Sequence, residues 1–505
     1  MTLLDTLAPL RAHGQARTTG LDDATVLDFA GRDADLVAAI EAAAAEYLKV
    51  RAEFPALLDM AEDAQAAEVQ SGFVNFYAQD AANPYVALAA RGPWIVTLKG
   101  AVVYDTGGYG MLGLGHAPEV VIEAMARPQA MANIMTPNVS QLRFSNAMRG
   151  EIGQTRSSKE GGGCPYAAFL CLNSGSESVS LASRIVDANA KTMTDPGARH
   201  AGKAIKRVVV KGAFHGRTER PALYSDSSRK AYVQHLASFR GEDSVIAVPA
   251  YDHDALRKVF ADADANGWFV EAMFLEPVMG EGDPGRSVPV AFYELARELT
   301  RSHGALLLVD SIQAGLRATG YLSIVDYPGF ENAEAPDMET YSKALNAGQY
   351  PLSVLAVTEA TAAIYKRGLY GNTMTANPRA LDVACAVLGQ VTPALRGNIQ
   401  QRGQQVLALL EALKAETGGR ITKVQGTGLL FSCELAPGYK GYGVGSTEEW
   451  MRERGIGVIH GGENSLRFTP HFGVTEAELE LVVAMVKRAL LEGPRQAEAT
   501  QAAAA

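Results

Sequence analysis

At 505 residues, 47% hydrophobic and 20% charged, the chain is too long for one ordinary core and has the balance of a globular protein with two or three domains, or one large domain with satellites. The formal net charge of −10, with no long Lys/Arg run to override it, opposes a nucleic-acid backbone or an anionic membrane surface. The start MTLLDTLAPLRAHGQ has no basic segment before a long apolar run, no stretch approaches the ~20 apolar residues of a membrane helix, and Cys164, Cys171, Cys385 and Cys433 form no C-x-x-C pair, so the expectation is a cytoplasmic protein with reduced thiols, no metal site and no nucleic-acid or membrane partner.

Residues 1–80 are Ala-rich, and DADLVAAIEAAAAEYLKVRAEFPALLDMAED has strong helix formers with apolar residues at helical spacing. GPWIVTLKGAVVYDTGGYG then reads as short strands joined by glycine turns. From about residue 120 the pattern alternates. EVVIEAMARP is a helix, AAFLCL (167–172) a strand and SESVSLASRIVDANAK a helix. RVVVKG and EAMFLEP (271–277) are strands, VAFYELARELTRSHG is a helix, and ALLLVD (305–310) is a nearly pure apolar strand. Such alternation predicts an α/β fold, a mostly parallel sheet covered by helices. The long helix RALDVACAVLGQVT opens a smaller α+β region with the strands GLLFSCEL and NSLRFTP. The expected division is a helical extension at 1–80, the N-terminal part of a small domain at 81–125, a large domain at 126–380, a C-terminal small domain at 381–493 and a disordered tail at 494–505.

In such sheets ligands bind beyond the carboxyl ends of the strands. After AAFLCL comes NSGSES, where Gly175 and Ser176 open a helix whose free N–H groups suit a phosphate. After RVVVKG comes AFHGRTE, with Phe214 able to stack on a flat ring. EPVMGEGDPG puts Glu276 at a strand end and Glu281 in the glycine loop beyond it. Asp310 emerges from a buried strand and needs a partner. Lys343, in TYSKALNAGQYPLSVLAV, is flanked by small and apolar residues ahead of a further strand, where desolvation makes a lysine a nucleophile. Each feature alone has an ordinary explanation: a helix cap, core packing, a solvated loop, a salt bridge or a surface lysine. Together and in this order they match pyridoxal 5′-phosphate, which has a phosphate, a flat ring, a ring nitrogen that a carboxylate keeps protonated, and an aldehyde that takes a lysine as a Schiff base.

The landmarks YDTGGYGMLGLGHAPEVV, NSGSES, AFHGRT, EPVMGEGD, DSIQAGLRATG, PDMETYSKALNAG, GNTMTANP and SLRFTP, in this order over about 85–490, resemble the class III aminotransferases, the ornithine and 4-aminobutyrate group of fold-type I. The resemblance implies a pyridoxal-phosphate-dependent aminotransferase that moves an amino group from an amino acid or ω-amine donor to a keto acid such as 2-oxoglutarate or pyruvate. It implies that Lys343 is the Schiff-base lysine and proton carrier, that Asp310 pairs with the ring nitrogen, that Gln313 sits near the ring hydroxyl and that Phe214 stacks on the ring. Gly175 and Ser176 would bind the phosphate, and Thr373 would bind that of a neighbouring subunit, making a homodimer with shared active sites. Arg467 would clamp a substrate carboxylate with its planar fork, and Glu281 stands where some relatives mask that arginine in one half-reaction.

The chain also departs from the family pattern. D-E-x-Q-x-G reads DSIQAG, with Ser311 replacing the acid, G-R-T-G reads LRATG with Ala318, and residues 1–80 have no counterpart in compact members. For that segment the expectation is a helical arm over the dimer or the site entrance. Racemase, aminomutase or lyase chemistry on the same site is the alternative, because fold does not fix function. A binding or regulatory protein with a degenerate site is disfavoured, since Asp310, Lys343 and Thr373 are all present and residues 1–80 carry no basic stripe.

Overall fold

The computed structural model describes residues 2–77, 81–108, 110–131 and 133–496; the rest of the expected tail, 497–505, lies outside the described residues. The chain forms two units. One comprises Met1–Glu119, Gln401–Gln425 and Phe431–Ala505, the other Val120–Gln400 and Gly426–Leu430.

The first unit opens with five helices, Leu3–Arg11, Asp23–Ala30, Ala34–Glu53, Pro55–Asp59 and Glu62–Gln70. Their starts follow from local chemistry. Thr2 and Asp5 make a capping box, and Asp22 and Asp33 accept first-turn N–H groups. Strands β1 (Ala87–Arg91), β2 (Trp94–Thr97) and β3 (Val102–Asp105) follow as an antiparallel ladder. Two polar pins fasten helices to strands. Trp94 Nε1 donates to Asp33 at 2.6 Å, and Lys99 Nζ donates to the carbonyls of His13, Leu58 and Met60 at 2.8, 2.9 and 2.6 Å. Three acceptors match the three donors of an ammonium, which lets Lys99 be buried; that burial lowers its pKa.

The second unit is built on a seven-stranded sheet of β4 (Ala168–Leu172), β5 (Ala204–Val210), β6 (Val245–Val248), β7 (Trp268–Leu275), β8 (Leu306–Asp310), β9 (Met338–Tyr341) and β10 (Ser353–Val357). The order is β4-β10-β9-β8-β7-β5-β6, and β10 alone runs against its neighbours. The expected mostly parallel sheet is therefore present, with one reversed strand that the alternation pattern does not reveal. The helix Gly175–Thr194 buries Val179, Ala182, Ile185 and Val186, one face at helical spacing, against Val209, Phe274, Leu308 and Leu355 of the sheet. Each of the larger side chains, Ala182 excepted, contributes ~1.5–3 kcal/mol of burial. The helix Val290–His303 ends on Gly304 at φ +81°, a left-handed cap that glycine takes without strain.

The stretch read as a long helix, RALDVACAVLGQVT (379–392), is helical only to Leu388, in the helix Pro378–Leu388, and a second helix, Pro393–Glu416, follows it. Gly389 ends the first, and Pro393, lacking an N–H, suits the first position of the second. Strands β11 (Ile421–Thr427), β12 (Leu430–Leu435), β13 (Ile456–Gly457), β14 (Ile459–Gly461) and β15 (Ser465–Phe468) and the helices Thr447–Glu453 and Glu476–Glu492 complete the described chain. The sheet order is β11-β12-β15-β14, while β13 pairs in parallel with β3.

Candidate active site

Because β4, β5, β7, β8 and β9 share one direction, the segments that follow them emerge at one edge of the sheet. That edge gathers the cradle after β4, the Phe214 turn after β5, the glycine loop after β7, Asp310 at the end of β8 and Lys343 after β9.

The cradle starts at Ser174, which caps the helix Gly175–Thr194 in a capping box with Glu177. A chain of hydroxyls fixes it from below: Ser178 Oγ donates to Ser353 Oγ and Ser353 Oγ to the Ser174 carbonyl, both at 2.6 Å. Ser176 Oγ accepts the Arg217 N–H at 3.2 Å. Gly216, at φ +114°, lies so close that a Cβ there would sit 2.4 Å from Ser176 Oγ. The result is a helix N-terminus with a serine hydroxyl and close backbone on one side, the donor set a phosphate takes.

Phe214 lies four residues beyond the end of β5 and is half-buried, with the Arg217 guanidinium 5.2 Å from its ring centre. Asp310 is 4% exposed. Its Oδ1 accepts Ile312 N–H at 3.2 Å and Thr340 Oγ1 at 3.0 Å, and its Oδ2 faces His215 Nδ1 at 2.9 Å. A carboxylate only accepts, so Nδ1 carries the proton. A carboxylate has about four lone-pair positions, and described residues take three, which leaves one on Oδ2 without a partner among them. Gln313 is buried, and its Nε2 has no partner among the described residues. Its Oε1 is crowded by Gly280, where a Cβ would lie 2.0 Å away.

Lys343 is half-buried and starts a short 3₁₀ turn, Lys343–Asn346, at φ +26°. A non-glycine residue held there stores roughly 1–3 kcal/mol. The turn is over-determined, since Ser342 Oγ and Asn346 Nδ2 both donate to the Leu352 carbonyl, at 2.7 and 2.8 Å. By register Asp310 lies opposite Thr340, so Lys343 and Asp310 leave adjacent strands at the same end.

Three further residues were predicted for the site. Thr373 is exposed, on a loop whose Asn372 shares hydrogen bonds with Asn173 and Glu177 of the cradle at 3.4 and 3.3 Å. Glu281 is half-buried and accepts from Ser227 Oγ at 3.2 Å. Arg467 is 2% exposed on β15, opposite Ser432 and Ile459, in the first unit.

Sequence reasoning assigned no role to three residues of this edge. His215 and Thr340 hold Asp310, and Glu276 accepts two loop N–H groups. The histidine beside Phe214 was a visible signal; Thr340 needed the β8–β9 register. Ser311, which replaces the family's acid, donates to a carboxylate after all. Glu339 on β9, fully buried, accepts Ser311 Oγ, Ser323 Oγ, Tyr166 Oη and the Ile324 N–H, at 2.5, 2.5, 2.6 and 2.9 Å. Burial raises the Glu339 pKa, and its hydroxyl donors oppose that rise.

The geometry tests the cofactor. An anion cradle, a half-buried aromatic plate, an unpartnered amide N–H₂, one open lone pair on a buried carboxylate and a constrained lysine at one sheet edge fit pyridoxal phosphate group by group. This arrangement of sheet and strand-end site defines a fold-type I α/β enzyme dependent on that cofactor.

The class-III aminotransferase family model matches residues 76–490, and the chain belongs to that family. It is a pyridoxal-phosphate-dependent aminotransferase, which transfers an amino group from a donor to a keto acid. It is 32% identical over 327 residues to the acetylornithine aminotransferase of Xanthomonas campestris pv. campestris, covering 64% of this chain and 74% of the relative. With the ornithine aminotransferase of Brevibacillus brevis it shares 28% identity over 409 residues, 81% of this chain and 94% of the relative. The crystal structure of the Toxoplasma gondii ornithine aminotransferase superposes with a TM-score of 0.71 at 24% identity, over 88% of this chain and 98% of that one, a likeness of fold.

Proposed function

We propose that the strand-end edge of the second unit is the transaminase active site, that Lys343 is its central residue, and that the donor carries an ω-amino group like that of ornithine or N-acetylornithine, with 2-oxoglutarate or pyruvate as acceptor. The observation that carries this reading is the conjunction at one edge of Lys343, Asp310 with one open acceptor position, and Gln313 with an unpartnered Nε2. The donor class is supported by the names of the relatives above.

Bound there, pyridoxal phosphate supplies an electron sink for the charge left when the donor's amino-bearing carbon loses its proton. The chain's residues do the rest. Gly175 and Ser176 N–H groups and Ser176 Oγ take the phosphate. Phe214 would lie against the ring, Gln313 Nε2 would donate to the ring hydroxyl oxygen, and Asp310 Oδ2 would hold a proton on the ring nitrogen. Lys343 Nζ would hold the cofactor, and it is the amine placed to take the proton from the donor's amino-bearing carbon and hand it back. The family resemblance makes Arg467 the candidate to bind a substrate carboxylate and Glu281 the candidate to mask it.

The working unit we propose is a homodimer. Ile134, Met135, Val139 and Leu142 are exposed apolar residues, Met135 83% so, and the Ile134 N–H bonds the Thr375 carbonyl beside Thr373. A second copy covering this face would bury them and bring Thr373 to the partner's phosphate. Leu142→Glu should therefore give monomers by light scattering and lower activity at least tenfold. A fully active monomer would remove Thr373 from the site. A cytoplasmic location is supported by four free cysteines, and among the described residues no helix is long and apolar enough to cross a membrane.

The test is a half-reaction. Ornithine, N-acetylornithine and other amines are added singly to cofactor-loaded enzyme without keto acid. Loss of the visible cofactor band with one equivalent of carbonyl product, and its return on adding 2-oxoglutarate or pyruvate, names donor and acceptor. Steady turnover with the band unchanged and no keto acid would overturn the proposed transfer.

A further inference from the structure

Glu276 follows β7 directly and is 5% exposed, yet it binds no cation among the described residues. Its two oxygens are used separately. Oε1 accepts the Phe214 N–H and Oε2 the Gly280 N–H, both at 2.9 Å. Those two N–H groups belong to different loops: the turn after β5 that carries the aromatic plate, and the glycine loop after β7 that packs on Gln313 and carries Glu281. The loops also meet without side chains, since a Cβ on Gly282 would lie 2.2 Å from the Gly212 carbonyl oxygen. Backbone, the Met279 side chain packed on Gly212 and this one carboxyl group set the spacing between them at that point.

Resting on the active-site reading above, we propose that Glu276 is a positioning residue: its ionised carboxylate clips the Phe214 turn to the glycine loop and so holds the ring plate and the Gln313 contact in working order. An anion accepts both N–H groups with equal strength, and charge-assisted bonds of this kind are roughly twice as strong as neutral ones. The groups facing it are His215 from the Phe214 turn, Asp310 from β8, and Tyr251 from the loop after β6, which itself lies against Arg286 and Asp283. Burial pushes the Glu276 pKa up to about 7, with Asp310 adding to the rise and His215 and the two N–H groups opposing it.

The clip therefore loosens just below neutral pH, and stability runs the opposite way. A carboxyl group whose pKa is raised by folding favours the fold while protonated, below about pH 4.5, and that contribution is lost as pH rises through about 7. Ionised Glu276 makes the site work and costs the fold.

The experiment compares wild type with E276Q and E276D. The pH dependence of kcat/KM is measured on the cofactor-loaded enzyme from pH 5.5 to 9, and Tm on the cofactor-free protein at pH 5.5 and 8. Wild type should lose activity on the acid side with a midpoint near 7. E276Q should be about tenfold less active at pH 8, should lack that acid limb, and should gain a few degrees of Tm relative to wild type between pH 5.5 and 8. E276D, a carboxylate one methylene shorter, should keep the limb at reduced kcat. Should E276Q fail to fold, the E276D limb and the pH dependence of the wild-type Tm decide. A normal profile and activity in E276Q, or a common profile for E276Q and E276D, would overturn the clip. Those results leave the active-site reading standing, because that reading fails only if Lys343 variants remain active.

Discussion

Lys343→Ala should lower transamination by more than ~10³-fold and abolish the visible absorbance of the bound cofactor, while far-UV circular dichroism and subunit assembly stay as in wild type. Two losses combine. The amine that holds the cofactor is gone, and so is the group that moves the substrate proton, a function that alone contributes ~10²–10⁴-fold. The fold should survive because the turn is pinned by its neighbours: Ser342 and Asn346 keep their bonds to the Leu352 carbonyl whatever occupies position 343. Alanine inherits the φ of +26° and meets the same backbone strain as lysine, so it neither relieves nor worsens it appreciably. Lys343→Arg provides the control. A guanidinium keeps the charge and the bulk but does not deprotonate at working pH, so it should be as inactive as alanine. If Lys343→Arg turned over normally, a fixed positive charge would explain the position and a proton-carrying lysine would not.

How far the residues announced this can be judged from particular elements. Strands such as ALLLVD and EAMFL were legible because strands buried on both faces are continuously apolar, and the candidate positions were chosen because parallel strands deliver their following loops to one edge. Gly175, Ser176, Phe214, Asp310 and Lys343 were singled out on that rule, and the structure brings the segments that carry them to that edge. The reversed strand β10 was not legible, since an apolar run looks the same in either direction. Nor was the support of Asp310: Thr340 faces it only because β8 and β9 pair in one register, and register is a property of two strands at once. Ser311 shows the same limit from the other side. In the sequence it reads as a lost acid. In the structure Glu339, 28 residues later, places a carboxylate against it, fully buried and supplied with three hydroxyls and an N–H. That arrangement keeps a carboxyl group under the end of β8, and no local pattern reports it.

Asp310→Asn should cost about 10²–10³-fold in kcat, the loss typical of removing one preorganised electrostatic group from an active site, and ~1–3 kcal/mol of stability. Three N–H or O–H groups, from His215, Ile312 and Thr340, point at the two oxygens of Asp310, and one acceptor position on Oδ2 remains. Asparagine offers a single oxygen. Oriented to keep Ile312 and Thr340, it turns an N–H₂ group toward His215 Nδ1–H, donor against donor. His215 must then carry its proton on Nε2, an atom that already lacks a partner among the described residues. The open position on Oδ2 is replaced by a donor that cannot hold a proton on a ring nitrogen. The two effects separate experimentally. Melting of the cofactor-free variant reports the broken His215 contact, and single-turnover loss of the cofactor band with the donor reports the missing charge. A variant that melts lower but turns over within about threefold of wild type would confine Asp310 to holding His215, and the ring-nitrogen role would pass to another group. A variant slowed a hundredfold with near-normal melting would place the whole effect on the charge that Oδ2 presents.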